Sequence, residues 1–190
     1  MKKVICALLL GSTIVVAASA IDLDLGVRYG LRTVSDATIK STYGNKMIIY
    51  PFIAVNVWKG LTIGAGYETG YSASGQVGIF QENSTLKVGG FEVFVAYQLQ
   101  LGGIVPYVSL GYGSYSYSQT IDSPYANQKV DASKSTFIFA GGLKVYPLKA
   151  LFLAGEIKFV PLTVTPLETA VDLGGMRITI GAGFTFSLAP

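Results

Sequence analysis

The chain has 190 residues, 14 Lys and Arg against 11 Asp and Glu, no histidine, and a charged fraction of 13% beside a hydrophobic fraction of 51%. Such a composition is too apolar for a disordered segment and too weakly charged for a nucleic-acid binder. The missing histidine excludes every site that needs an imidazole as base or metal ligand, and the length suggests one domain.

Lys2 and Lys3 precede an apolar run from Val4 to about Val16, which ends in Ala18-Ser19-Ala20. A basic start, a short apolar core and a small-x-small site predict a signal peptide over residues 1–20, with Ala18 and Ala20 as the cleavage signal. The run is short for a membrane span, and no basic stop-transfer cluster follows it. The only cysteine, Cys6, falls inside this segment, so the mature domain expected over residues 21–190 has no disulfide. Without Lys2 and Lys3 the basic and acidic residues nearly balance, and net charge points to no acidic partner.

From Ile21 the chain alternates with period two, the signature of a strand. Ile21, Leu23, Leu25, Val27, Tyr29 and Leu31 share one face, against Asp22, Asp24, Gly26, Arg28, Gly30 and Arg32. Met47–Val57 is a less regular strand, with Tyr50 and Phe52 on the second face. Alternation returns at Leu61–Glu68, Phe91–Gln98, Pro106–Gly113, Thr136–Val145, Leu151–Phe159 and Met176–Phe186. These are eight strands. Short turns fall at Lys59-Gly60, Leu101–Gly103 and Pro147–Ala150, and long polar loops at about Thr33–Lys46, Ser72–Lys87, Ser118–Lys134 and Val160–Asp172. Long and short connections alternate, as an antiparallel up-and-down meander requires, and closure into a barrel removes both edges.

The direction of the apolar face sets the environment. That face is continuous and almost free of charge, whereas the other is glycine-rich and carries both signs: Asp22, Asp24, Glu68, Glu92 and Glu156 with Arg28, Arg32, Lys144, Lys158 and Arg177. Balanced charge suits a self-neutralising lumen network. Each strand offers about ten residues, enough for a tilted strand to cross a bilayer, and a closed barrel satisfies the backbone in lipid. The expected fold is therefore all-β, an eight-stranded antiparallel up-and-down transmembrane β-barrel. Tyr29, Tyr67, Tyr97, Tyr112, Phe159 and Phe184 are candidates for its interfacial aromatic girdles.

In this pattern, over the whole of residues 21–190, the chain resembles the small eight-stranded outer-membrane barrels of the OmpA and OmpX type. Its sharpest element is Thr179-x-Gly181-x-x-Phe184-x-Phe186, which resembles the signal that the last strand of that family presents to the barrel-insertion machinery. The family usually ends on the last aromatic, whereas here Ser187-Leu188-Ala189-Pro190 follow. The resemblance implies a location in the bacterial outer membrane, with termini and short turns toward the periplasm and the long loops outside.

Chemical motifs are sparse. The enzymes among barrels of this general type use a histidine, which is absent here. Glu68, Glu92 and Glu156 could act as an acid–base set, but ion pairing to Arg28, Lys158 and Arg177 is the simpler expectation. The pairs Gly64/Gly66, Gly111/Gly113 and Gly181/Gly183 lack the third glycine of a nucleotide fingerprint and read as relief of lumen crowding. No catalytic residue, metal site or cofactor is expected. Tyr43, Tyr71, Phe80, Tyr115, Tyr117 and Tyr125, set among polar loop residues, could form a recognition surface. Eight strands leave an interior that side chains can fill, with Tyr107, Tyr146 and Phe152 crowding one end. The leading expectation is a monomeric, non-enzymatic outer-membrane protein that contacts membrane lipid, the insertion machinery and an unidentified external partner through its loops, and no nucleic acid. The alternatives are a narrow channel, a carrier holding an apolar ligand near Tyr50, Phe52, Phe94 and Ile138, a histidine-free lipid enzyme, and a soluble secreted barrel.

Overall fold

A computed structural model of the protein describes residues 21–123, 128–166 and 170–188. The signal segment with Ala18 and Ala20, Tyr125 and Ala189-Pro190 lie outside the described residues. In chain order the elements are β1 (Asp22–Arg32), α1 (Ala37–Tyr43), β2 (Lys46–Trp58), β3 (Leu61–Val77), β4 (Glu82–Gln98), β5 (Ile104–Asp122), β6 (Gln128–Val145), β7 (Leu151–Val160), the short pair β8 (Thr163–Val164) and β9 (Val171–Asp172), and β10 (Gly175–Ser187). Strands β1–β7 and β10 close into an antiparallel barrel in which β1 pairs with both β2 and β10.

The alternation decides which way each side chain faces. Leu25, Val27, Tyr29 and Leu31 are exposed on the outside of β1, whereas Asp24, Arg28 and Arg32 are buried inside. The same holds on β10, where Ile178, Ile180 and Phe184 face outward and Arg177 and Thr179 inward. Outward aromatics fall at two levels. Trp58, Tyr97, Phe184 and Phe186 lie toward the short-turn end, and Tyr29, Tyr67, Phe91, Tyr112, Phe137 and Phe159 toward the long-loop end.

Glycines inside make room for rings. A Cβ at Gly66 would lie 2.3 Å from the Tyr50 ring, and one at Gly183 would lie 2.3 Å from that of Phe152. Phe52, Phe152 and Tyr146 then pack near the short-turn end, with ring centroids 6.3 and 5.8 Å apart.

The long connections differ from the expected polar loops. Thr33–Lys46 contains α1, whose Asp36 carboxylate accepts from the backbone N–H of Thr38 and Ile39. Most of Ser72–Lys87 and the described part of Ser118–Lys134 are strand: β3 to β6 run 17 to 19 residues, against 10 for β7. Val160–Asp172 carries the β8–β9 pair.

Along these four strands polarity reverses. On β5 the outward residues change from Val108, Leu110 and Tyr112 to Ser114, Ser116 and Ser118, while inward Gly111 and Gly113 give way to Tyr115 and Tyr117. On β4 outward Val95, Val93 and Phe91 are followed by Gly89 and Lys87, and inward Glu92 by Val88 and Leu86. On β3 a bulge makes the change, where Thr69 and Gly70 oppose the single residue Gly89 between the pairs Glu68–Gly90 and Tyr71–Val88. Gly70 has φ +98°, a conformation suited to glycine. Beyond this level the sheet has an apolar inner face. There Tyr71, Ala73, Leu86, Val88, Tyr115 and Tyr117 form a second core with Val34 and Tyr43 of the first long connection and Leu162, Val164 and Leu173 of the last.

Candidate functional site: the lumen and its long-loop mouth

The barrel interior is a column of ion pairs in three layers. At the short-turn end Lys144 Nζ lies 2.5 Å from Asp24, whose other oxygen accepts from Thr185 at 2.6 Å. In the middle Arg28 pairs with Glu156 at 2.9 Å, and Lys158 with Glu92 at 2.5 Å and Glu156 at 3.8 Å. Tyr107 donates to Glu156 at 2.9 Å, Tyr115 donates to Glu92, and the Phe52 ring lies 4.1 Å from the Arg28 guanidinium. Toward the mouth Glu68 takes Arg32 at 2.7 Å on one oxygen and Arg177 at 3.0 Å on the other. Arg32 also donates to the carbonyl of Leu173, fastening the last long connection over the lumen.

Nine of the ten charged residues named from the sequence thus face inward and are paired. Asp22 is the exception: it sits at the rim, accepting from the Ser187 hydroxyl at 2.7 Å, and belongs to no ion pair among the described residues. Glu68, Glu92 and Glu156 are each held by cations. Among the described residues no group of His, Cys, Asp or Glu is placed to hold a metal ion.

Little open space remains. A cavity of about 20 Å³ is lined by Arg28, Tyr50, Phe94, Ile138 and Lys158 among others, and one of about 10 Å³ lies nearer the short turns. Each has room for about one water molecule. The site proposed for an apolar ligand at Tyr50, Phe52, Phe94 and Ile138 therefore has no space for one. Among the described residues Arg28 Nε, Arg32 Nε, Arg177 Nη2 and the Thr179 hydroxyl are buried without a hydrogen-bond partner.

The aromatic recognition surface expected on the loops is also rearranged. Tyr43, Tyr71, Tyr115 and Tyr117 are all buried in the second core. The Tyr43 hydroxyl donates to Ser84 at 2.7 Å, and Gln119 donates to Tyr43 at 2.9 Å and to Ser84 at 3.1 Å. Tyr117 donates to Gln119 at 2.5 Å. Only Phe80 of the described set is outside, at the β3–β4 tip, where it is 86% exposed beside Ile79 at 96%. The sequence reading missed this core because its outer face, rich in Ser and Thr, has the composition of a loop. The available signal was the period-two pattern itself, which continues through Ser114–Ser118 with its polarity reversed.

Of the terminal motif, Thr179 faces the lumen and Gly181 packs against Arg28. Phe184 and Phe186 face outward at the short-turn end, their ring centroids 6.4 Å apart.

Solved structures with a similar fold are small outer-membrane barrels. Ail, the attachment invasion locus protein of Yersinia pestis, in complex with the heparin analogue sucrose octasulfate, matches with a TM-score of 0.60 at 12% identity, over 88% of this chain and 100% of that one. A major outer membrane protein of Thermus thermophilus gives 0.55 at 12% identity over 88% and 100%, and Neisserial surface protein A gives 0.53 at 12% over 90% and 99%. Identity this low establishes the fold alone. No curated protein matches the chain in sequence. A family model, described as the outer membrane protein beta-barrel domain, matches residues 4–186. A bacterial outer-membrane location follows from that match, and the soluble alternative is set aside. With its ring of eight strands, apolar outside and charged inside, the chain belongs to the outer membrane protein β-barrel family.

Proposed function

We propose that the protein is a non-enzymatic, monomeric outer-membrane anchor whose long-loop end faces outward and meets external partners, and whose lumen is plugged. The observation that carries this reading is that β3–β6 continue past the level where their outer face stops being apolar and there build a second core. A barrel needs no such structure to cross lipid, so the added material serves what lies above the membrane. The paired lumen and its water-sized cavities support a non-conducting interior. Ail and Neisserial surface protein A bear names of attachment and surface exposure, in keeping with such a role here. Thr179, Gly181, Phe184 and Phe186 are assigned to recognition by the insertion machinery.

Planar-bilayer recording of the refolded protein tests the lumen. The expected record has no discrete steps. Steady steps that change in Glu92→Gln or Arg177→Gln would replace this reading with the channel.

A further inference from the structure

The charges inside the barrel do not balance. Among the described residues five buried cations face four buried carboxylates. Lys144 has Asp24, Arg28 has Glu156 and Lys158 has Glu92, which leaves Glu68 alone for both Arg32 and Arg177. The surplus positive charge therefore sits in the layer toward the mouth. Strand register concentrates it further. Arg32 lies directly opposite Arg177, Lys46 opposite Arg32, and Lys158 opposite Arg177, so one cross-strand row over β2, β1, β10 and β7 carries four cations side by side. Like charges directly opposite one another are destabilising, and an uncompensated charge in a sealed interior is costly.

The hydrogen bonds point to the same place. Arg32 spends Nη1 on Glu68 and Nη2 on the Leu173 carbonyl, and its Nε has no partner. Arg177 spends Nε on Glu68 and Nη1 on the Gly175 carbonyl, and its Nη2 has none. Thr179, the next inward residue of β10, has a buried hydroxyl that is also without a partner. It lies opposite Gly30, which adds no side chain on β1 between Arg28 and Arg32. Arg28 Nε, on the same seam, is the fourth such atom. All four can donate, and no carboxylate oxygen is among the buried atoms left without a partner. What the seam lacks is an acceptor. A water molecule would supply lone pairs but no charge, whereas an anion supplies both. The lumen cavities of about 20 and 10 Å³ each have room for about one water molecule, which favours a single-atom ion over an oxyanion such as phosphate.

We propose that the lumen binds one halide ion, chloride in a natural setting, at the β1–β10 seam, on Arg32 Nε, Arg177 Nη2 and the Thr179 hydroxyl. The ion neutralises the guanidinium that Glu68 cannot and becomes part of the plug. The site is independent of which end of the barrel faces outward.

Urea unfolding of the refolded protein in sodium chloride, with sodium gluconate keeping the ionic strength constant, tests the site. Chloride at about a hundred times its dissociation constant should raise the ratio of folded to unfolded protein about a hundredfold over gluconate alone. Arg177→Met balances the buried charge and should abolish that dependence. Thr179→Val removes one donor and no charge, and should weaken chloride binding about tenfold; it carries this arm if Arg177→Met does not refold. Lys129→Gln, at an exposed lysine, should keep the full dependence. Crystals grown in bromide should show one anomalous peak within hydrogen-bond reach of Arg32 Nε and Arg177 Nη2. The proposal is overturned by equal stability in chloride and gluconate, by a chloride dependence that survives in the lumen variants, or by a bromide map with no peak at the seam, where water would then satisfy the donors.

Discussion

Glu68 is fully buried between two guanidiniums, and among the described residues it is the group that neutralises both of them. Replacing it by Gln leaves Arg32 and Arg177 facing each other inside the barrel. Removing one partner from a buried pair costs about 3–5 kcal/mol. Urea unfolding of the refolded barrel, followed by the fluorescence of the single tryptophan, should show that loss for Glu68→Gln. Adding Arg32→Met should recover part of it, because one of the opposed charges is then gone. An unchanged midpoint would mean the layer is hydrated and not sealed. Gly66 makes the complementary point about shape. A Val there drives its Cβ into the Tyr50 ring, an overpacking expected to cost about 1–3 kcal/mol. Tyr50→Ala in the same chain should relieve the clash, so the double variant should be more stable than the sum of the two single losses predicts. The identity of these residues was legible in the sequence, since their parity placed them inside. The expected pairing of Glu68, Glu92 and Glu156 with Arg28, Lys158 and Arg177 also holds as a set; the one-to-one assignment was not legible. Which carboxylate meets which cation depends on strand stagger, and Asp22 lies at the rim although its parity matches that of Asp24.

At the scale of elements, the first long connection shows where periodicity fails as a guide. α1 has seven residues, too short for an amphipathic repeat to stand out, and it forms because Asp36 caps it and its packed face meets β3. Its Tyr43 side chain joins the core above the lumen. Loss of the cap in Asp36→Ala should cost about 1 kcal/mol. Amide hydrogen exchange is the suitable readout: residues 37–43 should exchange faster while β1, β7 and β10 keep their protection. Faster exchange throughout the barrel would instead mean that α1 is required for closure. The β3–β6 extensions show a different limit. Their alternation was present in the chain, but small hydroxyl residues on one face and tyrosines on the other reverse the pattern expected of a lipid-facing strand. The reversal makes sense only once lipid lies below the level of Tyr112 and water above it.

For the whole molecule the directional question is which end faces out. The Ile79 side chain is 96% exposed at the β3–β4 tip, and Lys59 lies in a turn at the opposite end. Ile79→Cys on intact cells should be labelled by a membrane-impermeant maleimide, and Lys59→Cys should not. The reverse labelling would invert the proposed orientation. The second core and the paired lumen then become parts of one arrangement, in which each surface matches the medium that it meets.

The sequence by itself determined the number of barrel strands, the alternation that turns grease outward and charge inward, and the membrane that such a surface demands. These are local properties, because period two in a strand fixes the face of every side chain. Only the tertiary structure decided the pairing of the lumen charges, the water-sized space left among them, and the apolar core above the bilayer level. Those depend on stagger and closure, which bring together residues far apart in the chain, such as Asp24 with Lys144 and Glu68 with Arg177. No local pattern encodes the distance between them.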